Sequence, residues 1–221
     1  DAPTIIDEEN LEKGIPFSDY EERPEVQKWL KYFRGRGIGQ ISKFLNRGKR
    51  YENLIKTLLA KHELPKFFFY LAMIESGFNL NAHSRASAVG IWQFIAPTAK
   101  RYGLRINRYV DERKDPIRAT VAAANYLQDL NNVFDSWPLA MAAYNAGESR
   151  IMNAIMRHGT RDYWELGAKR AIPRETRGYV PKFIAALLIA EDPGKYGVDL
   201  EKQLKPWPAV VSAYVPSPVR L

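Results

Sequence analysis

The stretch Pro65-Lys66-Phe67-Phe68-Phe69-Tyr70-Leu71-Ala72-Met73-Ile74-Glu75-Ser76-Gly77 constrains this chain more than any other. It reads as a greasy helix opened by its proline and stopped at its glycine. Glu75 stands alone on it, and no further Asp or Glu occurs until Asp111. A carboxylate in the last turn of an apolar helix meets the negative end of the helix dipole and poor solvation. Both disfavour its charged form and raise its pKa. An acid still protonated near neutral pH is what protonating a leaving oxygen requires. A surface glutamate that merely ends a helix is the commonplace alternative, and the surrounding sequence has to decide between the two.

The rest of the chain keeps a helical rhythm. Val26, Leu30 and Phe33 form one apolar stripe, broken by Gly35, Gly37 and Gly39. Ile41, Phe44 and Leu45 form a second, and Leu54, Ile55, Leu58 and Leu59 a third. After the Glu75 helix comes a polar loop from Asn79 to Ser87, then a short helix from Pro97 to Tyr102 closed by Gly103. Asp115-Pro116 opens a longer helix, Trp137-Pro138 another that ends at Gly147, and Ile151, Ile155 and Met156 line the next, before Gly159. A final helix runs from about Glu175 to Glu191, with Pro181 near its first turns. No strand-like alternation or hairpin turn stands out. The expectation is an all-α domain of many short helices over residues 24–193. Residues 1–23, acidic and without periodicity, read as an extended arm, and residues 194–221, rich in proline, as an extended tail.

The composition is that of a globular domain, with 46% hydrophobic and 26% charged residues in 221. No window is apolar enough for a membrane span, the best being Phe183 to Ala190. A chain that opens at Asp1 without Met reads as a mature or trimmed product. The absence of cysteine excludes disulfides and thiol chemistry, and three scattered histidines leave no metal-ligand cluster. The expectation is an enzyme without metal or cofactor. A net charge of +8 favours a polyanionic partner. No RNA-binding signature or helix-turn-helix points to nucleic acid.

Four separated segments carry the residue types of a glycan-cleaving groove: Ile74-Glu75-Ser76-Gly77-Phe78, then Ser84 to Phe94 with Gly90-Ile91-Trp92-Gln93-Phe94, then Ala143-Tyr144-Asn145-Ala146-Gly147, and Glu175-Thr176-Arg177-Gly178-Tyr179-Val180-Pro181. Together they resemble the soluble lytic transglycosylase family with the goose-type lysozyme fold, and most closely its membrane-bound lytic transglycosylase D group. The resemblance runs from about Pro24 to Trp207. It implies a lysozyme-like catalytic domain that cleaves the MurNAc-β-1,4-GlcNAc bond of peptidoglycan glycan strands. It also implies a monomer in the periplasm or cell envelope of a bacterium, attached to the outer membrane through a removed N-terminal segment. Many relatives continue into LysM repeats, toward which the tail would be a linker.

In that family the residue matching Glu75 is the sole catalytic carboxylate. It protonates the glycosidic oxygen, then accepts the proton of the muramyl C6 hydroxyl as that oxygen closes a 1,6-anhydro ring. A conventional glycosidase instead needs a second carboxylate within about 5–9.5 Å. Goose-type lysozymes carry Asp residues soon after the catalytic Glu, where this chain has its acid-free stretch. Asp111, Glu112 and Asp115 lie just before a helix beside Arg113 and Arg118, in positions suited to caps and ion pairs. A hydrolytic muramidase is the alternative activity, and an inactive wall-binding module the alternative of another class.

The resemblance assigns further residues to the substrate. Ser84 would contact the N-acetyl group or a nearby water, or else cap a turn. Gln93 would hydrogen-bond a sugar, or be a structural amide. Phe94 would pack on a sugar face, or belong to the core. Tyr144 and Asn145 match the Tyr-Asn-Ala-Gly signature, whose small residues allow a tight turn. Tyr179 matches the tyrosine whose hydroxyl approaches the catalytic carboxyl, with a core tyrosine as its alternative. Glu175 reads as a helix-start or ion-pair residue.

Overall fold

The structure, a computed structural model, describes residues 17–200. Its α-helices are α1 (Pro24–Arg34), α2 (Ile38–Gly48), α3 (Glu52–Lys61), α4 (Phe69–Ser76) and α5 (Ala96–Arg101). They continue with α6 (Pro116–Phe134), α7 (Trp137–Ala146), α8 (Glu148–His158), α9 (Tyr163–Ala168) and α10 (Arg174–Glu191). Among the described residues β structure is limited to isolated bridges such as His83 with Val89 and Val89 with Phe94. None of the described helices is long and apolar enough to cross a membrane.

Helix α4 is apolar on every side, and such a helix can only sit inside a protein. Phe69, Leu71, Ala72, Met73 and Ile74 are all buried. Pro65 does not open the α-helix itself. It leads into a 3-10 turn, Lys66–Phe68, that lays the Phe68 ring edge-on against Trp137 at 4.7 Å. The helix stops at Gly77, whose φ of +58° is left-handed and whose N–H bonds to the Met73 carbonyl. A Cβ there would lie 2.2 Å from the Phe44 ring, so space as well as conformation demands glycine.

Helices α7 and α10 pack against each other, and α10 also packs on α4 and along α1. Small buried residues, Ala140, Ala142 and Ala143 on α7 and Ala185 and Ala186 on α10, let the helices approach closely. The helix starts follow the sequence signals. Asp115 accepts hydrogen bonds from the Ile117 and Arg118 N–H groups at the head of α6, and Ser136 accepts one from Leu139 at the head of α7. Pro181 lies inside α10 and cannot donate to the carbonyl of Arg177. The Tyr163 hydroxyl donates to that carbonyl instead, at 2.9 Å, and so repairs the ladder.

Three features depart from the expected layout. Helix α9 falls in a stretch without apolar periodicity, and Phe17–Tyr20 forms a 3-10 turn within the segment expected to be an extended arm. They support each other: Tyr20 stacks on Trp164 of α9, and the Arg23 guanidinium lies 4.2 Å from the same indole. Past Pro193 the chain also remains packed. Tyr196 and Val198 are buried in the core, and Lys195 and Tyr196 both bond to Glu21, joining the two ends of the described chain. The remainder of the expected arm, up to residue 16, and of the tail, from residue 201, lies outside the described residues.

Candidate active site

Glu75 sits in the last turn of α4, half-buried, where α10, α7 and the loop after α4 converge. The Tyr179 hydroxyl, one face of α10, donates a hydrogen bond to Glu75 Oε1. Tyr179 is 6% exposed, so its ring is locked in the core and only its hydroxyl reaches the carboxyl. The Tyr144 hydroxyl donates to the Trp92 carbonyl at 2.7 Å, tying α7 to the loop. Asn145 Oδ1 accepts from Thr176 Oγ1 at 2.8 Å, tying α7 to the head of α10. From α4 itself, Ser76 Oγ donates to the Ile91 carbonyl at 2.8 Å.

These surroundings push the Glu75 carboxyl up to about 7 from an ordinary 4.5. Desolvation is the largest influence. The Tyr179 hydrogen bond and the positive charge of Lys182 oppose it, and the negative charge of Glu175 adds to it. Burial, with the nearby Glu75 charge behind it, also drives the Tyr144 and Tyr179 hydroxyls well above their ordinary range. Both phenols therefore stay protonated and act as donors, not bases.

The loop of residues 79–95 frames the same space. Ser84 Oγ accepts from the Ala86 and Ala88 N–H groups, so it caps a turn. Gln93, at a left-handed φ of +51°, donates from Nε2 to the Gly90 and Ala82 carbonyls, and no protein donor among the described residues reaches its Oε1. Phe94 is 3% exposed and packs between Tyr126 and Tyr144. The structure thus joins Glu75, Tyr144 and Tyr179 in one cluster, ties Asn145 to Thr176 beside it, and sets Ser84, Gln93 and Phe94 into the fabric of the loop.

The acids before α6 are committed elsewhere. Asp111 accepts from Arg113 Nε at 2.9 Å and Nη2 at 2.8 Å, which holds its carboxyl below the usual range. Glu112, 4% exposed, accepts from the Arg105 backbone at 2.7 Å and from Arg105 Nε at 2.6 Å, and is likewise lowered. Asp115 caps α6.

Several residues that hold the site carry no recognisable motif. Arg113 Nη1 reaches the carbonyls of Ser87 and Phe94, both at 3.1 Å, and pins the loop from behind. The Trp92 indole donates to Thr120 Oγ1 of α6 at 2.9 Å. Arg47 Nη1 donates to the Gly77 carbonyl at 2.8 Å and Lys182 Nζ to the Ile74 carbonyl at 3.0 Å. For Lys182 a signal existed: it lies three residues after Tyr179 and seven after Glu175, on the same helix face.

Residues 52–166 match the family described as Transglycosylase SLT domain. The chain belongs to that family. This SLT domain protein is 38% identical over 197 residues to the membrane-bound lytic murein transglycosylase D of Escherichia coli, covering 87% of this chain and 41% of that protein. It is 36% identical over 112 residues to a peptidoglycan transglycosylase of Escherichia phage T7, covering 50% of this chain and 8% of the phage protein. Its fold resembles that of an inactive mutant of the lytic transglycosylase Slt from Pseudomonas aeruginosa, with a TM-score of 0.53 at 21% identity over 64% of this chain and 24% of that one. The all-α, lysozyme-like architecture is therefore shared with a lytic transglycosylase, and this SLT domain chain spans about two fifths of the length of its Escherichia coli relative, at 41%.

Proposed function

We propose that this SLT domain chain is a peptidoglycan lytic transglycosylase, cleaving MurNAc-β-1,4-GlcNAc bonds with Glu75 as the single acid and base. One observation carries the reading: Glu75 has a carboxyl poised at about 7 and bonded to a phenol, whereas Asp111 and Glu112 are held ionised by arginines. A group with a pKa near the working pH is the most effective proton shuttle.

The protonated Glu75 gives its proton to the glycosidic oxygen as the C1–O bond breaks, and the substrate's own N-acetyl group steadies the cationic C1. Glu75, now a carboxylate, accepts the proton of the muramyl C6 hydroxyl while that oxygen bonds to C1. The products are a GlcNAc end and a 1,6-anhydroMurNAc end, no water is consumed, and Glu75 returns to its acid form. Tyr179 donates to the carboxylate, so its bond is strongest in the second half of the cycle. Tyr144 and Asn145, locked by Trp92 and Thr176, line the groove, and the open Oε1 of Gln93 is the acceptor it offers to sugar. Ser84 offers its hydroxyl hydrogen, and Phe94 backs the groove as a core ring.

The protein would act as a monomer on glycan strands at a bacterial cell envelope, in keeping with the murein enzymes it resembles. Digestion of purified sacculi followed by mass spectrometry tests the reading: anhydro products are one water lighter than hydrolytic ones. A pool dominated by reducible muramyl ends would make it a muramidase. Glu175, whose charge reaches Glu75, would then replace Asp111 and Asp115 as the second carboxylate to test.

A further inference from the structure

The carbonyls that end a helix have no partner within it, and α4 ends on the carbonyls around Glu75. Two cations from other elements close that end. Arg47 of α2 donates to Gly77, and Lys182 of α10 donates to Ile74, the residue immediately before Glu75. Lys182 is half-buried, with its ammonium 5.9 Å from the centre of the Trp29 ring. Burial lowers its own pKa, and the charges of Glu75 and Glu175 oppose that. Such an ammonium is costly to desolvate, and a single backbone hydrogen bond does not account for retaining one there.

We propose that Lys182 is a positioning residue for the acid–base cycle of Glu75: from behind the carboxyl it fixes the end of α4 and supplies the positive charge that the carboxylate stage requires. The proposal rests on Glu75 being the acid and base. Without Lys182 the Glu75 carboxylate would form at the negative end of the α4 dipole, in a desolvated setting, with Glu175 as its one charged neighbour on α10. The Tyr179 hydrogen bond and, at Gly77, the Arg47 guanidinium would be the remaining supports for the charged form. Lys182 meets the Ile74 carbonyl in the last turn of α4, so its charge opposes the dipole and the burial together. It leaves the face of the carboxyl toward the sugar free, because its contact is with the backbone and not with the carboxyl oxygens.

The test is a pair of variants, Lys182→Met and Lys182→Arg, assayed on purified sacculi across pH 4–9. Glycosidic cleavage needs protonated Glu75, so activity falls on the alkaline side as Glu75 ionises. Removal of the positive charge disfavours the carboxylate and moves that alkaline limb upward, by about one pH unit. In Lys182→Met the limb should rise and the turnover at its optimum should fall by about tenfold, since proton donation, the step that forms the carboxylate, is disfavoured. Lys182→Arg should restore both. A titration of Glu75 followed by carbon NMR should show the same displacement without reference to turnover. An unmoved limb and an unmoved Glu75 titration in Lys182→Met would overturn the proposal. So would a loss of rate that tracks a loss of folded protein and that Lys182→Arg does not repair. The reading of Glu75 itself fails by a different result, an active Glu75→Gln, so the two failures are distinguishable.

Discussion

Two groups of carboxylates in this molecule have been driven in opposite directions. Glu75 is surrounded by apolar side chains and meets one phenol, and its carboxyl rises to about 7. Asp111, Glu112 and Asp115 are met by guanidinium groups and backbone N–H groups, and the first two fall below their ordinary range. Burial alone does not separate them, because Glu112 is itself buried at 4% exposed. What differs is the partner. Arginine and amide donors replace the water that a carboxylate loses, whereas a hydrocarbon wall does not. The same functional group thus stays available to hold a proton near neutral pH in one place and becomes a permanent brace in the other.

The largest test of that contrast is Glu75→Gln, which keeps shape and hydrogen-bonding capacity but loses the proton. Turnover on sacculi should fall by at least about 10²-fold while binding persists. A variant that retained near-normal turnover would end the assignment.

Tyr179→Phe comes next. The phenol donates to Glu75 and so favours the carboxylate, which means that its loss raises the Glu75 pKa further. Activity should fall by about tenfold, with the alkaline limb of the pH profile displaced upward. The melting temperature should change by only a few degrees, since one hydrogen bond contributes about 0.5–1.5 kcal/mol net. A fall in rate with an unmoved profile would assign Tyr179 to packing alone.

Glu112→Gln probes the brace. It should leave the pH–activity profile in place but destabilise the fold by about 1–3 kcal/mol at neutral pH, because Arg105 and Arg118 lose a charged partner. A depressed carboxyl contributes stability above its unfolded pKa and loses it as pH falls through its folded pKa. The gap in melting temperature between parent and variant should therefore be open at pH 7 and narrow in acid, as pH falls below the ordinary 4.5 toward the lowered folded value.

The smallest effect has the opposite sign. A raised carboxyl favours the folded state below its unfolded value, and the protein loses that advantage as pH rises from 4.5 to about 7. Glu75→Gln should then match the parent in melting temperature at pH 4 and exceed it by a few degrees at pH 8. Equal melting temperatures at both would mean that Glu75 is solvated like a surface acid.

Much of this was legible in the sequence because it was local. Gly77 after an apolar run, Asp115 before Pro116 and Trp137 before Pro138 each specify a helix end within a few residues, and the ends fall there. The Glu75–Tyr179 pair was expected through the family resemblance of the two motifs and not from local pattern, and the structure adds that the phenol is the donor. Other features depended on partners far away in the chain. Helix α9 is short and lacks a stripe of its own, and it is held through Trp164 by Tyr20 and Arg23. Ser84 and Gln93 are polar residues in a glycan-type motif and so look like ligand contacts. Their hydrogen bonds to Ala88 and Gly90 show how much of that polarity holds the loop's own backbone. Arg113 read only as an ion-pair neighbour of the acids before α6, and nothing in its neighbours revealed a second hand reaching Ser87 across 26 residues of sequence.

That reach has a consequence for motion. Gly90, at φ +84°, lies so close to Arg113 that a Cβ would be 1.8 Å from its carbonyl oxygen, and the loop around it is held by Arg113, Thr120 and Ser76 at once. Such a segment cannot open as a small local unit while α4 and α6 stay folded. Its buried amides should exchange with solvent only as fast as the whole domain unfolds. The ordering cost of the loop is then met when the chain folds, and under the proposed function a glycan strand would find its contacts already in place.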